Sequence, residues 1–176
     1  RLIAGFILPS SGTIRLGEED VTRVAPQHRE IGMVFQDYAL FPHMTIADNI
    51  GFGLRERRFP KARIEERVRE LLALIHLPDV GDRYPAEVSG GQQQRIAVAR
   101  AVAYPPKVLL MDEPLGALDL KLRESMQLEL RRIQQELKIT TVYVTHDQTE
   151  AMTMADRIVV MNMGRIEQMS SAEEIY

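Results

Sequence analysis

The sequence predicts an α/β protein with a largely parallel sheet and an inserted block of helices. In the second half, the apolar runs Val108–Met111, Thr141–Val144 and Ile158–Met161 alternate with helical patterns. Strands that alternate with helices pair in parallel, because each helix carries the chain back across the sheet. From about Thr45 to Ala103 the pattern is helical throughout, so this block is predicted to be an inserted subdomain.

Composition sets limits on the function. The chain has 176 residues, which suits one domain, and its 45% apolar and 27% charged residues are typical of globular proteins. A net charge of −3 with scattered basic residues gives no footprint for nucleic acid, so no such partner is expected. The sequence contains no cysteine, which excludes disulfides and thiolate metal sites. No apolar run approaches the roughly 18 residues of a membrane-spanning helix.

The first residues are predicted to be the tail of a helix. Gly5 suits a helix C-terminus, Pro9–Gly12 suits a turn, and the sequence does not begin with methionine. We therefore expect a fragment whose first helix begins upstream. Thr13–Leu16 alternates polar and apolar residues, as a half-buried strand does, and Ile31–Phe35 is predicted to be a second strand.

The middle block contains two predicted helices. The first begins near Pro60, and the second runs from Ser89 to Ala103, before Pro105–Pro106 stops it. Apolar residues at spacings of four, three and four define the buried face of the first helix. They are Ile64, Val68, Leu71 and Ile75.

Strands and helices then alternate. Val108–Met111 is apolar throughout, which predicts a parallel strand buried on both faces, and Thr141–Val144 is predicted to be a similar buried strand. Between them, apolar residues recur along one face of a long amphipathic helix from Leu118 to Leu137.

The last elements are a short helix and a strand. Asp147 and Glu150, three residues apart, resemble a capping box at a helix start. Ile158–Met161 is predicted to be a further apolar strand, which Asn162–Gly164 turns back.

Two adjacent carboxylates follow the strand Val108–Met111. Open α/β sheets bind ligands at the carboxyl ends of their strands. Asp112 could hold Mg²⁺ through water, and Glu113 could orient and polarise an attacking water. The alternative is a solvated acidic turn, and for this feature alone the two interpretations have about equal weight.

Three further features have both a functional and an ordinary interpretation. Ser89–Gln92 could hold a phosphate at a helix N-terminus, although a capped Gly-Gly loop is the commoner structure. His146 follows a strand and could donate a hydrogen bond to a phosphate oxygen, or be a simple loop histidine. Gln36 also ends a strand, where it could reach a metal or water, or be a surface glutamine.

Taken in order, these motifs closely resemble those of ABC ATPases over essentially the whole chain. Gln36 corresponds to the Q-loop, Ser89–Arg95 to the signature, Val108–Pro114 to Walker B, Asp119 to the D-loop and His146 to the H-loop. The resemblance implies a P-loop NTPase-like (RecA-like) core with a helical subdomain. The implied domains are a partial core at 1–42, the helical subdomain at 43–104 and the rest of the core at 105–176.

The sequence departs from the family pattern at three points. Val88 replaces the usual leucine before the signature serine, and Gly116 replaces the commonest serine of the D-loop stretch Gly116–Asp119. The third departure is larger, because no Gly-x-x-x-x-Gly-Lys-Ser/Thr occurs. The Walker A strand and loop are therefore expected to lie upstream, and these 176 residues alone are expected to bind ATP poorly.

The resemblance also implies the roles of individual residues toward ATP and Mg²⁺. Glu113, His146 and Gln36 would be catalytic, and Asp112 and Gln36 would serve the metal. A second group of residues would contact the ATP that is held mainly by a partner subunit. Within that group, Asp119 would link the two ATP sites across the subunit interface. That group is Ser89, Gly90, Gly91, Gln92 and Asp119.

The implied partners are those of an importer. They are a second ATPase subunit in a head-to-tail dimer, transmembrane permease subunits, and a periplasmic or lipid-anchored solute-binding protein, with the ATPase peripheral on the cytoplasmic face of the membrane. Candidate permease contacts are Tyr38, Leu40, Phe41 and Met44, for which local packing is the alternative. The stretch from Tyr143 to Asn162 looks most like importers of polyamines, sugars or ferric ion, and polyamine is the first choice.

Non-transport relatives are the competing interpretation. Chromosome-maintenance ATPases insert a long coiled coil between the Q-loop and the signature, whereas only a compact block separates Gln36 from Ser89. Excision-repair relatives carry zinc-binding cysteines, and this sequence has none. A translation factor with two cassettes stays open from the sequence, although the residues after Gln36 favour a transporter.

Overall fold

The structure, a computed structural model, describes residues 1–116 and 118–175, with the backbone alone at residues 120 and 121. Ala117 of the D-loop and Tyr176 at the end of the predicted third domain lie outside the described residues. The described strands are β1 Arg15–Leu16, β2 Glu19–Asp20, β3 Ile31–Val34, β4 Val108–Asp112, β5 Thr140–Val144, β6 Ile158–Asn162 and β7 Arg165–Ser170. The described α-helices are α1 Ile46–Glu56, α2 Lys61–Leu74, α3 Gly90–Ala101, α4 Leu120–Leu137 and α5 Gln148–Met154.

A parallel sheet of order β3-β4-β5 forms the centre of the molecule. The apolar residues of the middle strand β4 are buried, with Leu109 and Met111 each 1% exposed. The register pairs Val34 with Met111 and Asp112 with Val144. The carboxyl ends of all three strands therefore lie together, along what we call the carboxyl edge of the sheet. This confirms the predicted α/β fold with a parallel sheet.

The helices of the middle block pack on this sheet and on one another. Helix α3 contacts β3 so closely that a Cβ on Gly32 would lie 2.5 Å from the carbonyl oxygen of Ala101. Ser89 caps α3, and Pro60 immediately precedes α2, as predicted. The predicted buried face of α2 is confirmed for Ile64, Val68, Leu71 and Ile75. The boundaries of the three domains stay predictions.

The first five residues form a turn with the hydrogen bonds of a helix C-terminus. Phe6 N–H donates to Arg1 O at 3.1 Å, Gly5 N–H donates to Leu2 O at 3.1 Å, and Gly5 has φ +85°. This is the Schellman pattern, in which glycine takes the left-handed position. The pattern agrees with the predicted helix tail, although the described part of residues 1–5 contains no helical turn of its own.

The predicted strand Thr13–Leu16 is wrong in extent. Only Arg15–Leu16 is a strand, and it pairs antiparallel with Glu19–Asp20, which the sequence did not predict. Thr13 and Ile14 fall outside because the amide of Ile14 bonds to the side chain of Thr22, at 2.8 Å, instead of to a strand.

The predicted burial of β5 is also wrong. Val142 and Val144 are 37% and 46% exposed, while Thr141 and Tyr143 between them are partly buried. Within the described residues β5 has β4 as its one strand neighbour, and its side chains alternate between partly buried and exposed. Apolar character alone does not separate an edge strand from a central one.

The strand at Ile158–Asn162 forms as predicted but lies outside the parallel sheet. It pairs antiparallel with β7, and the turn has positive φ at Met163 and Gly164, 45° and 77°, as tight hairpins require. Its apolar side chains are exposed, with Met161 at 62%. Among the described helices, none has the length and apolarity needed to cross a bilayer.

Candidate functional site

A strained turn at the end of β4 positions Glu113. Its amide donates to the carbonyl of Val144 at 2.9 Å, which continues the pairing with β5 by one residue. Glu113 then takes φ +47°, a left-handed conformation that costs free energy for a residue with a side chain. The amide of Gly116 closes the turn by donating to the carbonyl of Glu113 at 3.0 Å. The glutamate is therefore held at the carboxyl edge of the sheet.

His146 meets Glu113 at this edge. Nε2 of His146 lies 2.8 Å from Oε1 of Glu113. The histidine side chain is 85% exposed and that of the glutamate 29%. Both groups are thus reachable from solvent, which a substrate requires.

Gln36 lies next to the same carboxylate. A Cβ on Gly116 would sit 3.3 Å from Nε2 of Gln36 and 3.7 Å from Oε2 of Glu113. Gln36 follows β3 and is exposed. Gln36 and His146, 110 positions apart along the chain, therefore both lie near the carboxylate of Glu113, and each of the three residues follows a different parallel strand. The glycine at position 116 leaves room for this convergence.

Asp112 is the last residue of β4 and is exposed. Among the described residues there is no group of three or more histidine, cysteine or acidic side chains that could hold a metal alone. Mg²⁺, however, usually takes one or two carboxylate or amide oxygens and completes its shell with water and substrate phosphates. Asp112 and Gln36 fit such a partial set of ligands.

The signature residues lie on another element. Ser89 is exposed and accepts a hydrogen bond from the amide of Gln92, whose side chain accepts from Ser89 N–H at 2.9 Å. This capping box satisfies two donors, the amides of Ser89 and Gln92, and leaves the amides of Gly90 and Gly91 to face an anion. Gly91 is buried against Met126, whose Sδ would lie 3.0 Å from a Cβ there. A larger residue would push the helix start away from α4.

Asp119 caps helix α4. Its carboxylate accepts from Leu122 N–H at 3.0 Å, and the residue is exposed. The neighbouring Leu118 is buried and is the nearest residue to a Cβ on Gly90, at 3.5 Å. Leu118 thus lies against Gly90.

Two residues that the sequence analysis missed hold the loop after Gln36. Asn49, which is fully buried, accepts from Phe41 N–H at 2.8 Å and donates back to Phe41 O at 3.1 Å. Arg100 donates to Ala39 O and to Tyr38 O at 2.6 and 2.9 Å, and burial lowers the pKa of its guanidinium. In the sequence, the available signal for these contacts was a polar residue among the inward-facing residues of a helix, Asn49 in α1 and Arg100 in α3.

The proposed surface role of Tyr38 is wrong. Tyr38 is 6% exposed, and burial raises the pKa of its phenol. Its backbone has φ +61°, which turns the side chain into the core. Leu40, Phe41 and Met44 are partly buried and so keep some free surface.

The capping box at Asp147 is half formed. Asp147 accepts from Glu150 N–H at 3.1 Å, as predicted. Glu150 does not return to the amide of Asp147, which donates to Thr145 Oγ1 instead, at 3.0 Å. The carboxylate of Glu150 is buried and accepts from Thr145 and Tyr143. Burial, and then the charge of Glu150, raise the pKa of Tyr143.

These features together define a P-loop NTPase-like α/β core, with its polar residues at the carboxyl edge of a parallel sheet. A family model described as ABC transporter matches residues 1–116. The chain belongs to the ABC transporter family. The match includes Gln36, Ser89–Arg95 and Val108–Pro114, and it stops before Asp119 and His146.

Curated relatives match over the whole chain. The spermidine/putrescine import ATP-binding protein of Thermobifida fusca is 60% identical over all 176 residues, which are 46% of that protein. The protein of the same name from Oleidesulfovibrio alaskensis is 58% identical, with 47% of its length covered. The sulfate/thiosulfate import ATP-binding protein of Thermosynechococcus vestitus is 56% identical, with 52% covered. The chain spans about half the length of the curated relatives it matches.

Proposed function

We propose that the complete protein is the ATP-binding and ATP-hydrolysing subunit of an ABC importer. The observation that carries the proposal is the convergence of Gln36, Glu113 and His146 at the carboxyl edge of β3, β4 and β5. The import ATP-binding names of relatives at 56 to 60% identity support it. None of these names supports a DNA-repair, chromosome or translation role.

In the proposed reaction, Glu113 polarises the water that attacks the terminal phosphate. The carboxylate accepts a proton or hydrogen bond from that water, while the N–H of His146 faces the phosphate oxygens that gain charge. In the structure Nε2 of His146 instead lies 2.8 Å from Oε1 of Glu113. Binding of the nucleotide would replace this contact, because the phosphate offers the ring N–H a stronger anionic acceptor. Gln36 then orients the water or the metal.

Mg²⁺ would neutralise the charge that develops on the phosphates. Asp112 would hold it through water, and Gln36 through its amide oxygen. The 176 residues contain no Gly-x-x-x-x-Gly-Lys-Ser/Thr. The cradle and lysine for the phosphates are therefore proposed to come from the remainder of the protein, and residues 1–176 alone are expected to hydrolyse ATP very slowly.

A second ATPase subunit completes the proposed site. Ser89 is exposed at a helix N-terminus, and its glycines leave the amides of α3 open to an anion. Gly90 and Gly91 lie against Leu118 and α4, not at the Glu113 edge, so these amides suit a phosphate brought by another subunit. Two subunits would bind head to tail with Asp119 at the contact. Hydrolysis removes the bridging phosphate and opens the pair.

The permease is proposed to contact the loop after Gln36, on the cytoplasmic face of the membrane. Phe41 packs on Phe52 with ring centroids 4.7 Å apart, and both line a groove of about 430 Å³ with Tyr104 and Arg100. A groove with aromatic and arginine walls suits a short helix of a partner. A solute-binding protein would deliver the solute to that permease.

Polyamine is the proposed solute, with sulfate as the second candidate. Relatives of both kinds match over all 176 residues, at 60 and 56% identity. Sugar and ferric ion have weaker support, since the proteins named above are of neither kind. Uptake of labelled spermidine and of labelled sulfate by cells that carry Glu113→Gln in place of the wild type decides between the two. Loss of sulfate uptake alone would reject polyamine.

Phosphate release from ATP by the complete protein tests the activity. Glu113→Gln is expected to lower kcat by about 100-fold or more, because the amide cannot act as a base. Glu124→Gln, an exposed change on α4, is the control and should retain wild-type activity. A complete wild-type protein that releases no phosphate would reject the function. Full activity of Glu113→Gln would reject the role of Glu113 alone.

A further inference from the structure

Glu150 is a buried carboxylate that the proposed reaction does not use. The residue is 3% exposed, although it lies in the first turn of the short surface helix α5. Its Oε2 accepts from Thr145 Oγ1 at 2.7 Å and from the phenol of Tyr143 at 3.2 Å. A carboxylate out of water is costly unless hydrogen bonds and an opposite charge compensate it. The residues that stabilise the buried carboxylate of Glu150 therefore indicate which segments it holds in place.

The opposite charge comes from Arg123 on α4. Its Nε lies 3.8 Å from Oε1 of Glu150, and its Nη1 lies 3.6 Å from Oδ2 of Asp147. Nη2 donates to the carbonyl of Leu118 at 3.1 Å. One planar guanidinium thus joins the start of α4 to the loop that follows β5, as a rigid fork of donors can.

The two segments joined in this way belong to different parts of the proposed site. Thr145, which binds Glu150, immediately precedes His146, and His146 contacts Glu113. Leu118, which binds Arg123, immediately precedes Asp119 and lies against the signature glycine Gly90. The Arg123–Glu150 pair lies between the two.

We infer that Arg123 and Glu150 are positioning residues that fix the loop of His146 relative to the segment Leu118–Asp119. Their contacts are with Leu118, Tyr143, Thr145 and Asp147, the residues of the two segments and of the strand before His146. Their effect is to keep the imidazole of His146 in reach of the phosphate when the D-loop segment meets a second subunit. The inference rests on the proposed ATP hydrolysis.

A purely structural role predicts a different result. In that case, removal of the charge lowers the melting temperature, and kcat is normal wherever the protein is folded. A positioning role predicts a lower kcat at temperatures far below unfolding, with the KM for ATP almost unchanged, because a misplaced group costs rate and not nucleotide binding. The ratio of these two effects separates the roles.

The test compares four variants of the complete protein with the wild type by phosphate release from ATP. Glu150→Gln keeps an acceptor for Thr145 and Tyr143 but removes the charge, and Arg123→Gln removes the guanidinium. Each is expected to lower kcat roughly 10-fold and to leave KM within about twofold. The double variant should be no slower than the worse single variant, because the residues act as a pair. Exposed Glu124→Gln is the matched control.

Arg123→Lys is a fifth variant that keeps the charge. It should recover part of the rate that Arg123→Gln loses, since the ammonium can still face Glu150. If Glu150→Gln fails to fold, Arg123→Gln decides, because the Arg123 side chain is 26% exposed and its removal leaves the core intact.

Three outcomes would overturn the inference. Rates of both single variants within about twofold of Glu124→Gln would reject it. Losses that simply multiply in the double variant would reject the pair as a unit. Absence of hydrolysis by the wild type would reject the proposed function, and the inference with it, whereas the first two outcomes leave that function standing.

Discussion

Oε1 of Glu113 and Nε2 of His146 lie 2.8 Å apart, although the two residues are 33 positions apart along the chain and a complete helix lies between them. The contact exists because β4 and β5 are parallel neighbours and both end at the same edge of the sheet. It brings a carboxylate and an imidazole into one small, solvent-accessible region, where the proposed reaction uses them as the acceptor for water and the donor for phosphate.

The first prediction concerns His146. His146→Ala in the complete protein should lower kcat for ATP hydrolysis by about 100-fold, because the donor to the charged phosphate oxygens is lost. His28→Ala, which changes an exposed histidine distant from His146 in the sequence, is the control. Phosphate release under saturating ATP is the measurement. Unchanged kcat in His146→Ala would show that His146 does not donate to the phosphate in the reaction.

The second prediction separates helix capping from anion binding at Ser89. Ser89→Asp keeps a good N-cap, so the melting temperature should stay close to that of the wild type. The new charge repels a phosphate, so ATP-dependent dimer formation, measured by light scattering, should be lost. Ser89→Ala removes the cap and should cost about 1 kcal/mol of stability. Normal ATP-dependent dimers of Ser89→Asp would place the phosphate elsewhere.

The third prediction compares two glycines in the same fold. Gly32→Ala should destabilise the protein by about 1–3 kcal/mol or more, because its Cβ would lie 2.5 Å from the carbonyl oxygen of Ala101. Gly53→Ala lies in helix α1 with the nearest atom 3.7 Å away, so it should stabilise by about 0.5–1 kcal/mol. Denaturant unfolding of both variants is the measurement. Equal effects would mean that α3 does not pack on β3 as described.

The fourth prediction concerns alkaline pH. Burial, followed by the charge of Glu150, raises the pKa of Tyr143 above its ordinary value of 10.0. The folded protein therefore keeps the phenol neutral while the unfolded chain ionises it. Stability from this group is complete below pH 10 and is lost as the pH rises above it.

Tyr143→Phe should remove the loss of stability that this phenol causes above pH 10. The free energy of unfolding should then fall less steeply above pH 10, by up to about 1.4 kcal/mol per pH unit. At neutral pH the variant should be about 1 kcal/mol less stable, since one hydrogen bond to Glu150 is gone. Tyr84→Phe, at a 46% exposed tyrosine, is the control and should keep the wild-type slope. Identical slopes for both variants would contradict a buried phenol.

The local residue pattern predicted most helices and strands, but it did not predict which strand lies at the side of the sheet. The apolar spacing of α2 and the prolines after α3 set those helices correctly, because a helix repeats every 3.6 residues whatever lies around it. The same reasoning made β5 a fully buried strand, yet Val142 and Val144 are exposed. Whether a strand is central or at the side of a sheet depends on its neighbouring strands, which cannot be read from the strand's own residues.

Glu150 illustrates the same limit within a correctly predicted helix start. The spacing from Asp147 gave the capping residue, and the bond from Glu150 N–H to Asp147 is present. The side chain of Glu150 turned inward because Thr145, Tyr143 and Arg123 surround it. Of these, Arg123 comes from a different helix, 27 positions earlier, which the spacing could not reveal.

The sequence by itself determined which chemical groups the proposed site can use, since the identity and order of Gln36, Ser89, Glu113 and His146 are fixed by the chain alone. The tertiary structure decided which of these groups touch, that Tyr38 belongs to the core, and that Arg123 reaches Glu150. Periodicity and capping are local properties, whereas contacts between distant residues depend on how strands align and helices pack.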